Sequence, residues 1–309
     1  MLICVGEILV DMFIDASHKE MFPGGAPFNV ACNSLLYTDE VSFVGSVGND
    51  DNGKVLIDFA SKKGFKNLHL KVLDDRYTTR AIVTLVNGER SFRFERDFGA
   101  DYILDISDID IDSIKDKDII HIGSLMLSYK EGRDFYFNLV KEIKENSKAK
   151  ISFDINYRDD IFSSSEEAKE IFKKALKMAD ILKFSIEELT LFSNKENIED
   201  ILKDILNDQQ IALITLGKDG SIFYHNGEMI KVDTFPIQPV DTTGAGDAFY
   251  SYFLASLVNN PNLINDKEEI INTLRRANVV GALATQKKGA IGVAPSKNEI
   301  DAFLIEHNK

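Results

Sequence analysis

From Ile119 onward the chain keeps one rhythm. A short apolar run at 119–122 precedes a helical stripe of Phe135, Tyr136, Leu139, Val140 and Ile143. A second run at 151–154 precedes the stripe Ala168, Ile171, Phe172, Ala175 and Ala179. Runs at 181–184 and 211–216 continue the strand series, and helices are expected near 244–258, 267–286 and 296–307. Strands separated by helices pair in parallel, because a parallel crossover needs the length that a helix supplies. The pattern therefore predicts an α/β fold, a doubly wound and mostly parallel sheet with helices on both faces. Ligands of such sheets bind beyond the carboxyl ends of the strands.

The first hundred residues break the rhythm. Strand patterns fall at 3–5, 8–14, 41–47, 69–73, 81–86 and 91–95, and the last two flank Asn87-Gly88, a pair suited to the positive φ of a tight hairpin. A small separate β-sheet, a lid, is expected from strands inserted at about 9–22 and 68–98 of a single domain, 1–309. With 44% hydrophobic residues the chain can bury a large core.

Charge decides which partners fit. The net charge of −14 disfavours nucleic acid and anionic membrane, so any bound phosphate must be caught by local geometry. The N-terminal stretch lacks the cationic start of a signal peptide. The longest uncharged stretch, 248–265, is interrupted by Asn259, Asn260 and Pro261, too polar for a bilayer. Cys4 and Cys32 sit in apolar runs and read as core residues, and so few thiols suit a reducing cytoplasm. The histidines are scattered without zinc-ligand spacing.

One stretch points to chemistry. Asp241-Thr-Thr243-Gly244-Ala245-Gly246-Asp247 opens an apolar helix. Small residues there let backbone N–H groups converge at a helix N-terminus, an anion hole that needs no basic side chain. Asp247 lies beside it, where it could take a proton from an acceptor hydroxyl. A glycine-rich turn with an aspartate near the helix dipole is the plainer reading of the same composition. Gly24-Gly25-Ala-Pro-Phe-Asn29 permits close approach to a ligand, and Asn29 offers a donor and an acceptor to a hydroxyl, or else caps a buried helix. Gly48–Val55 nearly spells a phosphate loop, but Val55 lacks the metal-binding hydroxyl and Asp50 and Asp51 would repel a phosphate. A turn that shapes a polar pocket fits it better. Arg158 follows the strand at 151–154 and could bind an anion or pair with Asp159 or Asp160. Ser185 and Glu188 form a capping-box pattern that could also hold hydrated Mg²⁺. Thr215-Leu-Gly217-Lys-Asp-Gly220 is a strand-to-strand turn that could approach a nucleotide. Asp108, Asp110 and Asp112 lack the glycine and distal glutamate of a calcium loop and read as a solvated acidic face.

Together these stretches resemble the ribokinase-like, phosphofructokinase B-type carbohydrate kinases, and within them the bacterial fructokinases. G-G-A-P-F-N and D-T-T-G-A-G-D match the two family signatures, in order. The segments 6–11, 94–101 and 287–290 carry the fructokinase flavour. The resemblance implies roles. Asp247 is the base, and Gly244, Ala245 and Gly246 form the anion hole. Asp11, Gly25, Asn29, Arg96 and Arg158 bind sugar. Lys183, Thr215, Gly217 and Gly220 follow the nucleotide channel, with Asn278, Ala282 and Gly289 at adenine and ribose. Glu188 matches the magnesium motif through water, although Ser185 replaces its asparagine. Asp241 and Thr243 match a potassium site, although Val293 stands where some relatives have serine. The implied reaction is ATP-dependent phosphorylation of a free sugar, D-fructose to fructose 6-phosphate, with Mg²⁺ and K⁺ as cofactors. Alternative acceptors are 2-keto-3-deoxygluconate, ribose and nucleosides. A phosphosugar kinase would need more cations than Lys54, Arg93 and Lys130 supply. A non-catalytic sugar sensor on the same scaffold is the rival of another class. The resemblance also implies a homodimer through the lid.

Overall fold

Leu2 and Cys4 point to one apolar core and Ile3 and Val5 to another, and that alternation organises the molecule. The computed structural model describes residues 1–14, 19–86 and 89–307. Its strands run β1 (Leu2–Val5), β2 (Leu9–Ile14), β3 (Lys19–Gly24), β4 (Val41–Gly48), β5 (Asn67–Leu73), β6 (Arg80–Val86), β7 (Glu89–Glu95), β8 (Ile119–Ile122), β9 (Lys150–Asp154), β10 (Ile181–Ser185), β11 (Ile211–Thr215), β12 (Ser221–His225) and β13 (Glu228–Val232). The helices are α1 (Ala26–Ser34), α2 (Asp51–Ser61), α3 (Lys130–Asn146), α4 (Ser165–Met178), α5 (Ile186–Thr190), α6 (Ile198–Ile205), α7 (Ala245–Asn259), α8 (Lys267–Ala284) and α9 (Lys297–His307).

Among the described residues the large sheet has the order β13-β12-β11-β10-β9-β8-β1-β4-β5. It is parallel from β11 to β5, and only β12 runs against the others, pairing antiparallel with both β11 and the edge strand β13. Strands buried on both faces show period-two sorting into two cores. Ile120, Ile122, Leu182, Phe184, Ala212 and Ile214 face α3, α4 and α6, whereas Ile181, Ile211 and Leu213 face α1, α7 and α8. Local signals set the helix starts. Ser164 caps α4 by accepting from the Glu167 amide at 3.1 Å. Asp50 caps α2, accepting from the amides of Gly53 and Thr78 at 2.8 Å each, so the near-phosphate-loop is a helix cap. It also lines a polar cleft of about 650 Å³ with Arg80, Arg93 and Glu95.

The small sheet has the order β3-β2-β6-β7. Strands β6 and β7 pair as the expected antiparallel hairpin, while the turn Asn87-Gly88 lies outside the described residues. One expectation is corrected. The strand placed with the lid near 69–73 is β5, the edge of the large sheet, paired in parallel with β4 from Ser42↔Asn67 onward. Leu68 and Leu70 pack onto the main core, which holds it there. The second small-sheet segment therefore begins at Arg80, not near 68. No described helix is long and apolar enough to cross a membrane.

Candidate active site

The carboxyl ends of β1, β8, β9 and β10 converge beneath the N-terminus of α7. Gly244 takes φ +72° as its N-cap, and a Cβ there would lie 2.5 Å from the Cβ of Ala290, so glycine is required on both counts. The first-turn amides of a helix have no intrahelical acceptors and carry its positive end. The Ala245 amide bends back to the Thr242 carbonyl at 3.3 Å. Asp247 sits in this first turn, and its Oδ2 accepts from Asn29 Nδ2 at 2.8 Å. That bond ties the two signature stretches together although 218 residues separate them.

Asp247 is half-buried. Burial and then the Asp154 carboxylate push its pKa to about 6, against the pull of Lys183, Asn29 and Arg158. Lys183 lies under the nest, because a Cβ on Gly246 would stand 3.3 Å from its Nζ. Its ammonium donates to both Asp154 oxygens at 2.8 Å, across neighbouring strand ends. Burial alone would lower its pKa, but Asp154 and Glu188 outweigh burial and hold it charged.

The expected sugar-binding residues fall into two groups. Asp11 stands on β2 facing Asp247. Burial and then Asp247 raise its pKa to about 7, with Arg158 opposing. Gly24 leaves room for it, since a Cβ there would meet Asp11 Oδ2. Gly25, at φ +109°, lets the chain pass the Glu7 carbonyl. Exposed Arg158 donates to the Tyr157 carbonyl at 3.1 Å within reach of both aspartates' fields. Arg96 is different. Its Nη2 donates to Asp101 Oδ2 at 2.6 Å, and its Nη1 donates to Ser128 Oγ at 2.7 Å and the Leu125 carbonyl at 3.3 Å. Its guanidinium also stands against stacked Tyr102 and Tyr129. Those bonds hold the guanidinium in the wall of the site.

Beyond α7 opens a cleft of about 870 Å³. Thr215, Gly217, Gly220, Asn278 and Ala282 line it, with Ala245 and Gly246 at its inner end. Asn278 also donates to the Val232 carbonyl at 3.0 Å, fixing the β13 end to α8. Gly289 is not a lining residue. Its amide donates to Asp241 Oδ2 at 3.1 Å, and a Cβ on it would face Phe22 of the small sheet at 3.6 Å. Lys183 also stays outside this lining, held down by Asp154. Glu188 closes the expected capping box with Ser185, and its Oε1 accepts from the Tyr157 amide at 2.9 Å. Asp241 is buried, its Oδ1 accepting from the Thr243 amide at 3.0 Å and hydroxyl at 2.8 Å.

The model of the pfkB family carbohydrate kinases matches residues 1–297. The chain belongs to this family. Fructokinase-1 of Zea mays is 32% identical over 97% of this chain and 96% of its own. Probable fructokinase-6, chloroplastic, of Arabidopsis thaliana is 32% identical over 98% of this chain and 82% of its own. The crystal structure of fructokinase with bound ATP from Xylella fastidiosa is similar at TM-score 0.90 and 28% identity, covering 100% of this chain and 99% of that one. Fructokinase from Vibrio cholerae O395, with fructose, ADP and calcium ion bound, is similar at TM-score 0.89 and 31% identity, covering 98% of each chain.

Three groups in this carbohydrate kinase had no role assigned from sequence. Asp154 closes β9 and is the partner that keeps Lys183 charged under Gly246. An acidic residue closing an apolar strand was the available signal. Asp101 sits only five residues after Arg96 and is its buried counter-ion. Glu7 is 0% exposed, and neither carboxyl oxygen has a hydrogen-bond partner among the described residues. Burial first, then Asp101 and Asp247, raise its pKa to about 8. Its Oε2 fills the space that a side chain on Gly123 would need. It falls in the 6–11 segment, but no local pattern marked it as a buried acid.

Proposed function

We propose that this chain phosphorylates D-fructose at the 6-hydroxyl, using ATP. The observation that carries the reading is the Asp247 carboxylate, held by Asn29 in the first turn of a helix whose start lines the nucleotide-sized cleft. In the reaction the sugar oxygen bonds to the γ-phosphorus while the bond to the β–γ bridging oxygen breaks. The hydroxyl proton passes to Asp247, and ADP leaves. With a pKa of about 6, Asp247 is mostly ionised at neutral pH and ready to accept. The α7 amides at Gly246 and beyond, backed by Lys183, would meet the charge that grows on the phosphoryl oxygens. Asp11 and Asn29 would orient the sugar hydroxyls, with Arg158 at the rim. Thr215, Gly217, Gly220, Asn278 and Ala282 would receive the nucleotide.

Mg²⁺ would neutralise the phosphates of ATP when bound. Glu188 suits an outer contact through water, because each of its oxygens accepts a backbone amide and keeps a lone pair. Among the described residues no cluster of three or more His, Cys, Asp or Glu could hold a metal alone, which fits a cation carried largely by the nucleotide. A K⁺ ion at Asp241 and Thr243 would share a carboxylate already bonded to Thr243 and Gly289, and Val293 brings no side-chain oxygen. Those bonds favour a loop-closing role for Asp241, and potassium-dependent turnover would restore the ion. The reading places the protein in the cytoplasm as a homodimer through the small sheet. ADP release measured with fructose, ribose, 2-keto-3-deoxygluconate and a nucleoside should give the highest kcat/KM for fructose. A higher value for another acceptor would reassign the substrate, and ATP hydrolysis unaffected by any sugar would remove the kinase reading.

A further inference from the structure

Helix α7 rests on the sheet mainly through apolar side chains, Phe249, Phe253, Leu254 and Leu257 among them. Such contacts are not directional, so alone they would tolerate small slides and rotations of the helix. One polar chain interrupts them. Tyr250 Oη lies 2.6 Å from Ser152 Oγ, and Ser152 Oγ lies 3.1 Å from His121 Nδ1. All three residues are 0% exposed. The rings of His121 and Tyr250 also meet edge to face, with centroids 5.4 Å apart.

The chain stands directly behind the site. Tyr250 follows Asp247 by three residues and so shares its face of α7. Ser152 precedes Asp154 by two and so points to the same side of β9. His121 lies between Ile120 and Ile122, which face the opposite core, so it too points at α7. Slippage of α7 by a fraction of a turn would part Tyr250 from Ser152 and leave buried hydroxyls unsatisfied, a strongly unfavourable outcome. We propose that the Tyr250–Ser152–His121 chain is a positioning clamp that sets the height and rotation of α7, and so holds Asp247 at Asn29 and above the Lys183–Asp154 pair. The clamp rests on the reading of Asp247 as the base. His121 serves it as a neutral ring, since burial and then Lys183 bring its pKa down to about 3.

Tyr250→Phe keeps the ring and removes the hydroxyl. The expected result is a kcat lower by roughly 10- to 100-fold, because small misplacements of reacting groups are costly. The KM for sugar and the Kd for ATP should stay within about twofold, since the clamp touches neither ligand. Ser152→Ala removes the same contact from the sheet side and should lower kcat in the same way. The double variant should be no worse than Ser152→Ala alone, because that change already removes the Tyr250 contact together with the one to His121. Wild-type kcat in either folded single variant, or losses that multiply in the double, would overturn the clamp. Asp247→Asn separates the two ideas: if it is inactive while Tyr250→Phe is fully active, the clamp fails and the base stands.

Discussion

Glu7 gives the structure its most quantitative test. The carboxyl is fully buried two residues past β1, against Gly123 and in the field of Asp247, and its pKa rises from an ordinary 4.5 to about 8. A carboxyl whose folded pKa exceeds its unfolded one stabilises the fold most at low pH. That contribution shrinks as pH climbs from about 4.5 and is gone above about 8. One pH unit inside that window is worth about 1.4 kcal/mol. Between pH 5 and pH 8 the fold should therefore lose about 4 kcal/mol through this one group. Unfolding entropies of about 2.1 cal/mol/K per residue turn that into about 6 °C of Tm for a chain of 309 residues. Glu7→Gln keeps the shape and cannot titrate. Scanning calorimetry of both proteins from pH 5 to pH 9 should show the variant's Tm advantage widening by about that amount, then levelling. An advantage that stays flat across this range would show that Glu7 is already ionised at pH 5, and the account of its burial would be wrong.

Two other outcomes follow from the site. Asp247, with its pKa of about 6, must be ionised to accept a proton, and Asp11 titrates near 7 on the sugar side, so kcat/KM should be level above about 7 and fall at least tenfold per pH unit below about 6; a pH-rate profile checks this. Arg96→Ala should cost roughly 3–5 kcal/mol in denaturant unfolding by leaving Asp101 buried and unpaired, and Arg96→Met with Asp101→Leu should recover much of it.

The parallel sheet was legible because its strands sort side chains by twos into separate cores, leaving apolar runs between helical stripes. What sheet a strand joins was not. Residues 69–73 read as a strand, but their membership of the large sheet comes from pairing with β4, more than twenty residues away. β3 was missed because Lys19–Gly24 carries Pro23 and a terminal glycine, and its pairing with β2 makes it a strand. The α7 turn was legible through Gly244, where sequence and the required positive φ coincide. The ties of Arg96 were not legible, because nothing local shows that Asp101 and Ser128 accept from its guanidinium. Glu7 was invisible as a buried acid, since only the return of the chain at Gly123 encloses it.

The central claim is that Asp247 takes the proton from the sugar. Asp247→Asn keeps the bond geometry with Asn29 available and removes the base. Single-turnover phosphoryl transfer, measured with fructose and ATP binding followed separately by calorimetry, should fall by about 10²- to 10⁴-fold with both affinities preserved. A variant that binds both ligands and transfers phosphate within about threefold of the wild-type rate would contradict the account, since general-base catalysis would then be worth almost nothing here.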